Sequence, residues 1–374
     1  MKIDNPFPTT GYYGPAFFCD REKETATLLR NLKGRQSTTL ASIRRMGITA
    51  LIKHVQELSS NEWIPIYTDI LPTENTNDLL RYLATSIIHS FKEKSTQGKR
   101  IWQLIKSLRP VISHDSYSGI PSLSFSLQPE ESRHTIEELF VLLEKSDKPV
   151  LFAIDEFQQI LDYPETNVDA WLRKIIQELK NTVFIFSGSQ QHLMSDLFTN
   201  PARPFFRSTQ FLQLQKIDVK TYNDFIYSHF SSNRKKISRE VIREILDWTD
   251  VHTYYVQLLC NRLYTSRSGS ISSGTLYDEA EKLLKEQEYV FFGYRDMLTS
   301  QQWKILKAVA AEGEVYSPFS MNFINKYGLG NPASVRRSIE SLQGKELIFR
   351  QFDDRGVNYY GVYDLLFRRW IETI

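Results

Sequence analysis

The chain has 374 residues, of which 41% are apolar and 24% charged, an ordinary globular composition for two or three domains that excludes a disordered or fibrous chain. Lys and Arg number 46 against 44 Asp and Glu, so the net charge of +2 excludes a polycation that holds nucleic acid by bulk charge alone. Two distant cysteines, Cys19 and Cys260, and seven histidines without metal-ligand spacing exclude a disulfide framework and a zinc ribbon. Residues Met1–Pro8 hold no apolar signal-peptide core. No run approaches the roughly 18 apolar residues of a membrane span. The expectation is a cytoplasmic protein that makes no membrane contact.

In chain order, the first two-thirds alternates short apolar runs with amphipathic stretches, which predicts an α/β domain. Strands are expected at Thr38–Ala41, Ile64–Asp69, Val150–Ile154 and Val183–Ser187. Helices are expected at Arg21–Leu32, Thr49–Leu58, Thr76–Phe91, Ile136–Glu144 and Val168–Leu179. In Thr49–Leu58, Leu51, Ile52, Val55 and Leu58 recur at helical spacing. Pro110–Leu127, with Ser, Tyr, Gly and Pro between apolar residues, reads as a hairpin or excursion. From Lys216 the strand signals stop and short helices follow, ending in Thr275–Phe292, which predicts a helical lid punctuated by the Ser/Gly-rich piece Ser266–Gly274. From Leu298 three helices, Gln301–Ala311, Ser320–Tyr327 and one starting at Asn331-Pro332, precede two strand-like runs, Leu347–Phe352 and Tyr359–Tyr363. That is the order of a winged helix. The expected division is 1–215, 216–295 and 296–374.

Three strand ends carry chemistry. Thr38–Ala41 leads through Ser42-Ile43-Arg44-Arg45-Met46-Gly47-Ile48-Thr49 into a helix, the setting of a P-loop, in which backbone N–H groups and a helix N-terminus cradle phosphates. The full pattern asks for Gly, four residues, Gly, Lys, then Ser or Thr. Only Gly47 and Thr49 match, because Ser42 replaces the first Gly and Ile48 replaces the Lys. Alone, this leaves an ordinary strand–turn–helix open. Val150–Ile154 ends in Asp155-Glu156, a Walker B arrangement: the first acid holds Mg²⁺ through water, and the second polarises the attacking water. Val183–Ser187 ends in Gly188-Ser189-Gln190, where a third strand can present a hydroxyl to the γ-phosphate. Acidic strand ends also cap helices, and hydroxyl-rich exits also make turns.

Together these residues resemble the archaeal-type ATPase branch of the STAND NTPases, within the AAA-like P-loop superfamily. The resemblance is carried by Asn5-Pro6-Phe7, Phe18-Cys19-Asp20-Arg21-Glu22 with Glu24, Arg44-Arg45-Met46-Gly47, Asp155-Glu156-Phe157-Gln158, Phe186-Ser187-Gly188-Ser189-Gln190 and Pro204-Phe205-Phe206-Arg207. It implies an α/β P-loop NTPase domain with a parallel sheet, a helical lid, a C-terminal winged helix, and ATP or ADP with Mg²⁺ as ligands. By the same resemblance, Ser42, Arg44, Arg45, Met46, Gly47, Ile48, Thr49 and Ala50 surround the phosphates. Thr49 and Asp155 hold the metal, Glu156 is the base, and Ser189 or Ser187 is the sensor. Phe18 and Arg21 lie near the nucleotide base, and Arg207, ahead of Arg203, reaches toward the phosphates.

Ile48 offers neither donor nor charge. Losing one charge-assisted contact costs about 1.5–3 kcal/mol. In a water-excluded transition state the loss is about 3–4 kcal/mol or above, on the order of a hundredfold to a thousandfold or more in rate. Binding survives on amides and the helix dipole, whereas efficient hydrolysis does not. The expectation is therefore an ATP- or ADP-dependent switch with weak or absent hydrolysis. The alternatives are a catalytically dead scaffold for a protein partner, or a DNA-binding regulator whose helix Pro332–Gly344 offers Arg336 and Arg337 to a duplex.

Overall fold

Three short strands are buried along their whole length and form the centre of a parallel sheet. They are β1 (Thr38–Ala41), β5 (Val150–Asp155) and β6 (Thr182–Gly188). In this computed structural model the described residues are 4–374, apart from 92–94, 109–110, 115–120, 126, 233–234, 267–268 and 354. They fall into two compact units, Arg21–Gln215 and a second made of the residues up to Asp20 with Lys216–Ile374.

The first unit runs α1 (Glu22–Lys33), β1, α2 (Ile48–Ser59), β2 (Ile64–Asp69), α3 (Thr76–Ser90), α4 (Thr96–Ser107), β3 (Val111–His114), β4 (Pro121–Ser124), α5 (Pro129–Glu144), β5, a 3₁₀ turn (Phe157–Asp162), α6 (Val168–Glu178), β6, α7 (Gln191–Thr199) and β7 (Gln210–Gln213). The sheet order is β2-β5-β6-β1-β7, all parallel. Central strands buried on both faces read as continuous apolar runs, which is why β5 and β6 are legible in sequence, while β1 shows as a short β-branched and apolar stretch. The fifth strand, β7, is not. Its Gln-Phe-Leu-Gln is half-exposed at a sheet edge and has no apolar run. Helix α5 starts seven residues before the expected Ile136, because Gln128 and Glu131 form a capping box and Pro129 takes the first helical position. The Pro110–Leu127 excursion contains the antiparallel pair β3–β4. Pro110, residues 115–120 and Ser126 of that segment lie outside the described residues.

In the second unit, α8 (Val219–Ser232), β8 (Lys236–Ile237), α9 (Arg239–Trp248), α10 (Thr253–Thr265), β9 (Ser270–Ile271) and α11 (Ser273–Asp296) form a helical assembly. Arg267 and Ser268, in the Ser/Gly-rich piece, lie outside the described residues. Phe7 is fully buried among Tyr222, Ile226 and Phe230. Asn261 Nδ2 donates to Phe7 O at 2.8 Å while Asn5 Nδ2 donates to Asn261 O at 3.0 Å, which ties the N-terminal segment to α10. The remainder is α12 (Ser300–Glu312), α13 (Met321–Tyr327), α14 (Pro332–Gly344), the antiparallel pair β10 (Ile348–Phe352) and β11 (Asn358–Val362), and α15 (Leu365–Glu372). Helix α15, which the sequence does not announce, packs Phe367 and Trp370 against Phe291 of α11 at ring centroids of 5.3 and 5.6 Å.

Candidate functional site

The loop 42–47 leaves the C-terminal end of β1, and Gly47 turns it into α2 with φ +95°, a left-handed value that costs glycine nothing. Arg45 also takes positive φ, at 64°. No side chain caps α2. As in any first turn, the N–H groups of Ile48, Thr49 and Ala50 lack intrahelical acceptors, and they stand at the positive end of the helix dipole. Ser42 is buried and donates to Ile43 O at 2.8 Å. Met46 and Ile48 are buried, Arg45 and Thr49 are exposed, and Arg44 is intermediate. Arg21 is buried and braces the loop from behind. It donates to Met46 O at 3.3 Å and Gln215 O at 2.7 Å, and pairs with Glu24 at 2.9 Å. Its guanidinium is thus bound to main-chain oxygens of the loop and its flank.

Asp155, buried at the end of β5, is the centre of the site. Its Oδ2 accepts from Thr49 Oγ1 at 2.9 Å and from Tyr67 Oη at 2.7 Å. Its Oδ1 accepts from Ser187 Oγ at 2.7 Å and from the Glu156 N–H at 3.1 Å. Burial, then the charge of Asp155, pushes the Tyr67 phenol far above its ordinary range, so the hydroxyl stays a donor.

Glu156 adopts φ 55° at the turn after β5. Its Oε2 accepts from Gln158 Nε2 at 2.6 Å, the Ser189 hydroxyl at 2.9 Å and the Ser189 N–H at 3.2 Å. Arg44 Nε donates to Ser189 Oγ at 3.3 Å, completing a chain from the loop through the β6 exit to the second acid. The turn is anchored by Phe157, whose ring meets Phe186 at 4.5 Å and also packs on Phe198 and Phe205.

Two site residues are absent from the sequence reading. Lys53 follows Thr49 by one helical turn, and its Nζ lies 3.6 Å from the centre of the Tyr67 ring. Burial pulls its pKa down to about 8, against the opposing attraction of Asp155. Tyr67 reaches Asp155 because β2 is the neighbour of β5, in a register that also sets Asp69 opposite Asp155. Burial raises the Asp69 carboxyl, the Leu71 N–H opposes this, and the charges of Asp155 and Glu156 add to it. The i, i+4 relation of Thr49 and Lys53 was the available signal for the lysine.

The structure brings Thr49, Asp155, Glu156, Ser187, Ser189 and Arg44 together. It does not bring Arg207 to them. Arg207 precedes the edge strand β7 and so lies at the opposite strand ends, where it lines a cavity of about 400 Å³ with Arg35, Arg173 and Ser37. Arg203 pairs with Asp196 at 2.6 Å. Phe18 belongs to the other unit, where it meets Tyr12 edge-on at 5.9 Å.

A hydrated Mg²⁺ held by Asp155 would need a carboxylate lone pair, and a carboxylate has about four. Each Asp155 oxygen already takes two donors, so the residues as arranged do not fit that ion, although the Thr49 oxygen keeps lone pairs of its own. Among the described residues no group of three or more His, Cys, Asp or Glu is disposed to hold a metal.

Residues 289–373 match the family model of a probable winged helix domain. No curated protein matches the sequence. The Walker-type ATPase of Pyrococcus abyssi superposes with a TM-score of 0.68 at 17% identity, covering 98% of this chain and 99% of that one. The Aeropyrum pernix ORC2 protein, solved as ADPNP–ADP complexes, gives 0.59 at 13% identity over 97% and 95%. The Aeropyrum pernix ORC1 protein in complex with DNA gives 0.53 at 13% identity over 99% and 96%. Among the described residues no helix is long and apolar enough to cross a membrane. The chain has the P-loop ATPase fold of these archaeal proteins, an α/β domain with a parallel five-stranded sheet, and closes with a winged-helix domain.

Proposed function

We propose that the unit Arg21–Gln215 binds ADP or ATP at the loop 42–50 and that the chain uses the bound state as a switch, with hydrolysis weak or absent. The observation that carries this reading is the 2.9 Å hydrogen bond from Thr49 to Asp155, which joins the phosphate loop and the acidic strand end into one seat. Amides at the start of α2 receive the phosphates, and Arg44 adds a guanidinium beside them. Glu156, tied by Gln158 and Ser189, serves as the water-polarising carboxylate. Ile48 leaves the β/γ-phosphates without the charge that phosphoryl transfer relies on. The likeness in fold to a Walker-type ATPase and to a protein solved with ADPNP and ADP agrees with a nucleotide ligand. We read the protein as intracellular, with STAND-like use of the nucleotide state.

Isothermal titration of the full chain with ADP and with ATP tests the reading. Saturable heat with a ligand-induced rise in melting temperature supports it. Neither signal at millimolar nucleotide contradicts it and favours a scaffold with a closed site.

A second reading concerns the winged helix. Arg336 lies 4.4 Å over the Phe319 ring, and neither it nor the exposed Arg337 has an ion-pair partner among the described residues. Both remain available to a DNA backbone, and one protein of similar fold is solved with DNA.

A further inference from the structure

We propose that Lys53 is a second cation of the phosphate seat, beside Arg44: its ammonium, held over the Tyr67 ring beside Asp155, supplies for binding, though not for hydrolysis, a charge that Ile48 lacks, and makes nucleotide binding independent of Mg²⁺. This rests on the nucleotide reading above. Three observations point the same way.

The first is position. Side chains on a helix tilt toward its N-terminus, so a lysine one turn after Thr49 on the same face reaches back toward the end of α2 that meets phosphate. Its Nζ stands 3.6 Å from the Tyr67 ring centre, and that ring's hydroxyl shares Asp155 Oδ2 with Thr49.

The second is charge. Asp69, Asp155 and Glu156 bring three carboxyl groups to adjacent strand ends, and a nucleoside diphosphate adds further negative charge. Such an approach is repulsive unless cations face it, and more so where water is thinned out. Lys53 has no carboxylate partner within ion-pair distance among the described residues. The aromatic face orients the ammonium without neutralising it. With a pKa of about 8 it remains charged at neutral pH.

The third is the saturation of Asp155. All of its acceptor positions are filled by protein donors, leaving no place for the water shell that Mg²⁺ retains. An ammonium needs no such place. It acts through space on the phosphates and the acid together.

The test is titration of ADP into the full chain in excess EDTA and in millimolar MgCl₂, for the wild type, Lys53→Met and Lys53→Arg. Circular dichroism and a melting curve establish that each variant is folded. The wild type is expected to bind with the same Kd in both buffers, within about threefold. Lys53→Met is expected to lose about tenfold or more in EDTA, the scale of one charge-assisted contact, and Lys53→Arg to keep most of the affinity. A folded Lys53→Met that binds like the wild type in EDTA overturns the proposal. So does a wild type whose affinity falls tenfold when Mg²⁺ is chelated. A wild type that binds ADP in neither buffer overturns the nucleotide reading itself, which separates the two failures.

Discussion

Thr49 and Asp155 are 106 positions apart in the chain, yet the threonine hydroxyl meets the carboxylate at 2.9 Å. Tyr67, Ser187 and the Glu156 N–H complete the shell around the same carboxylate. The acid therefore ties β2, β5, β6 and α2 together.

Asp155→Ala removes the acceptor from four donors at a buried position. A buried donor left without a partner costs about 1–3 kcal/mol, part of which the freed hydroxyls recover from each other and from water. The expected loss of stability is about 3 kcal/mol in urea denaturation of the full chain. A loss under about 1 kcal/mol would show that these bonds do not hold the strand ends together.

Gly188 ends β6, and a Cβ there would collide with Gln158 Oε1 and meet Met194 Cγ and Sδ at 2.8 Å. Gln158 is the residue that holds Glu156. Gly188→Ala is expected to cost about 1–3 kcal/mol, the range for overpacking a dense site. The same urea experiment measures it. A neutral result would mean that Gln158 swings aside at no cost.

The central sheet was legible because β5 and β6 carry continuous apolar runs that end in acid or hydroxyl residues, and β1, Thr-Thr-Leu-Ala, is β-branched and apolar before the loop. The helices of the second unit before α15 were legible from their periodicity and caps. Less visible were the features that depend on tertiary neighbours. Lys53 lies outside the Leu51–Ile52–Val55 apolar face, so it reads as a solvated residue of an amphipathic helix. Its partner Tyr67 belongs to a strand whose place beside β5 no local pattern dictates. The place of Arg207 is hidden for a related reason: the sequence shows its neighbours Pro204-Phe205-Phe206, but not that they enter an edge strand from its far end. Helix α4 buries a narrow stripe that includes Ile101 and Ile105, too little periodicity to announce itself.

Lys53 gives a pH signature. Its pKa in the fold, about 8, lies below the unfolded value of 10.5, because burial outweighs the pull of Asp155. Between those values the unfolded chain binds more protons, so this group's contribution to stability rises with pH. Below pH 8 the buried charge carries a constant penalty. Lys53→Met is thus expected to melt higher than the wild type at pH 7, with the gap closing as pH rises from 8 toward 10. Scanning calorimetry of both proteins in the absence of nucleotide checks this. A gap that widens over that range contradicts the assignment.

Ile48→Lys restores a charge to the loop. If the other parts of the seat are in place, steady-state phosphate release from ATP is expected to rise by at least about tenfold over the wild type. Ile48 is buried, so a melting curve accompanies the assay. Unchanged turnover in a folded variant would place the block to hydrolysis elsewhere in the site.

Amide hydrogen exchange of the full chain, with and without saturating ADP, tests the central claim at the atoms it concerns. Slower exchange is expected chiefly at residues 43–50, where N–H groups without intrahelical acceptors gain phosphate oxygens. Unchanged exchange across those residues, with protection appearing on another segment, would contradict it.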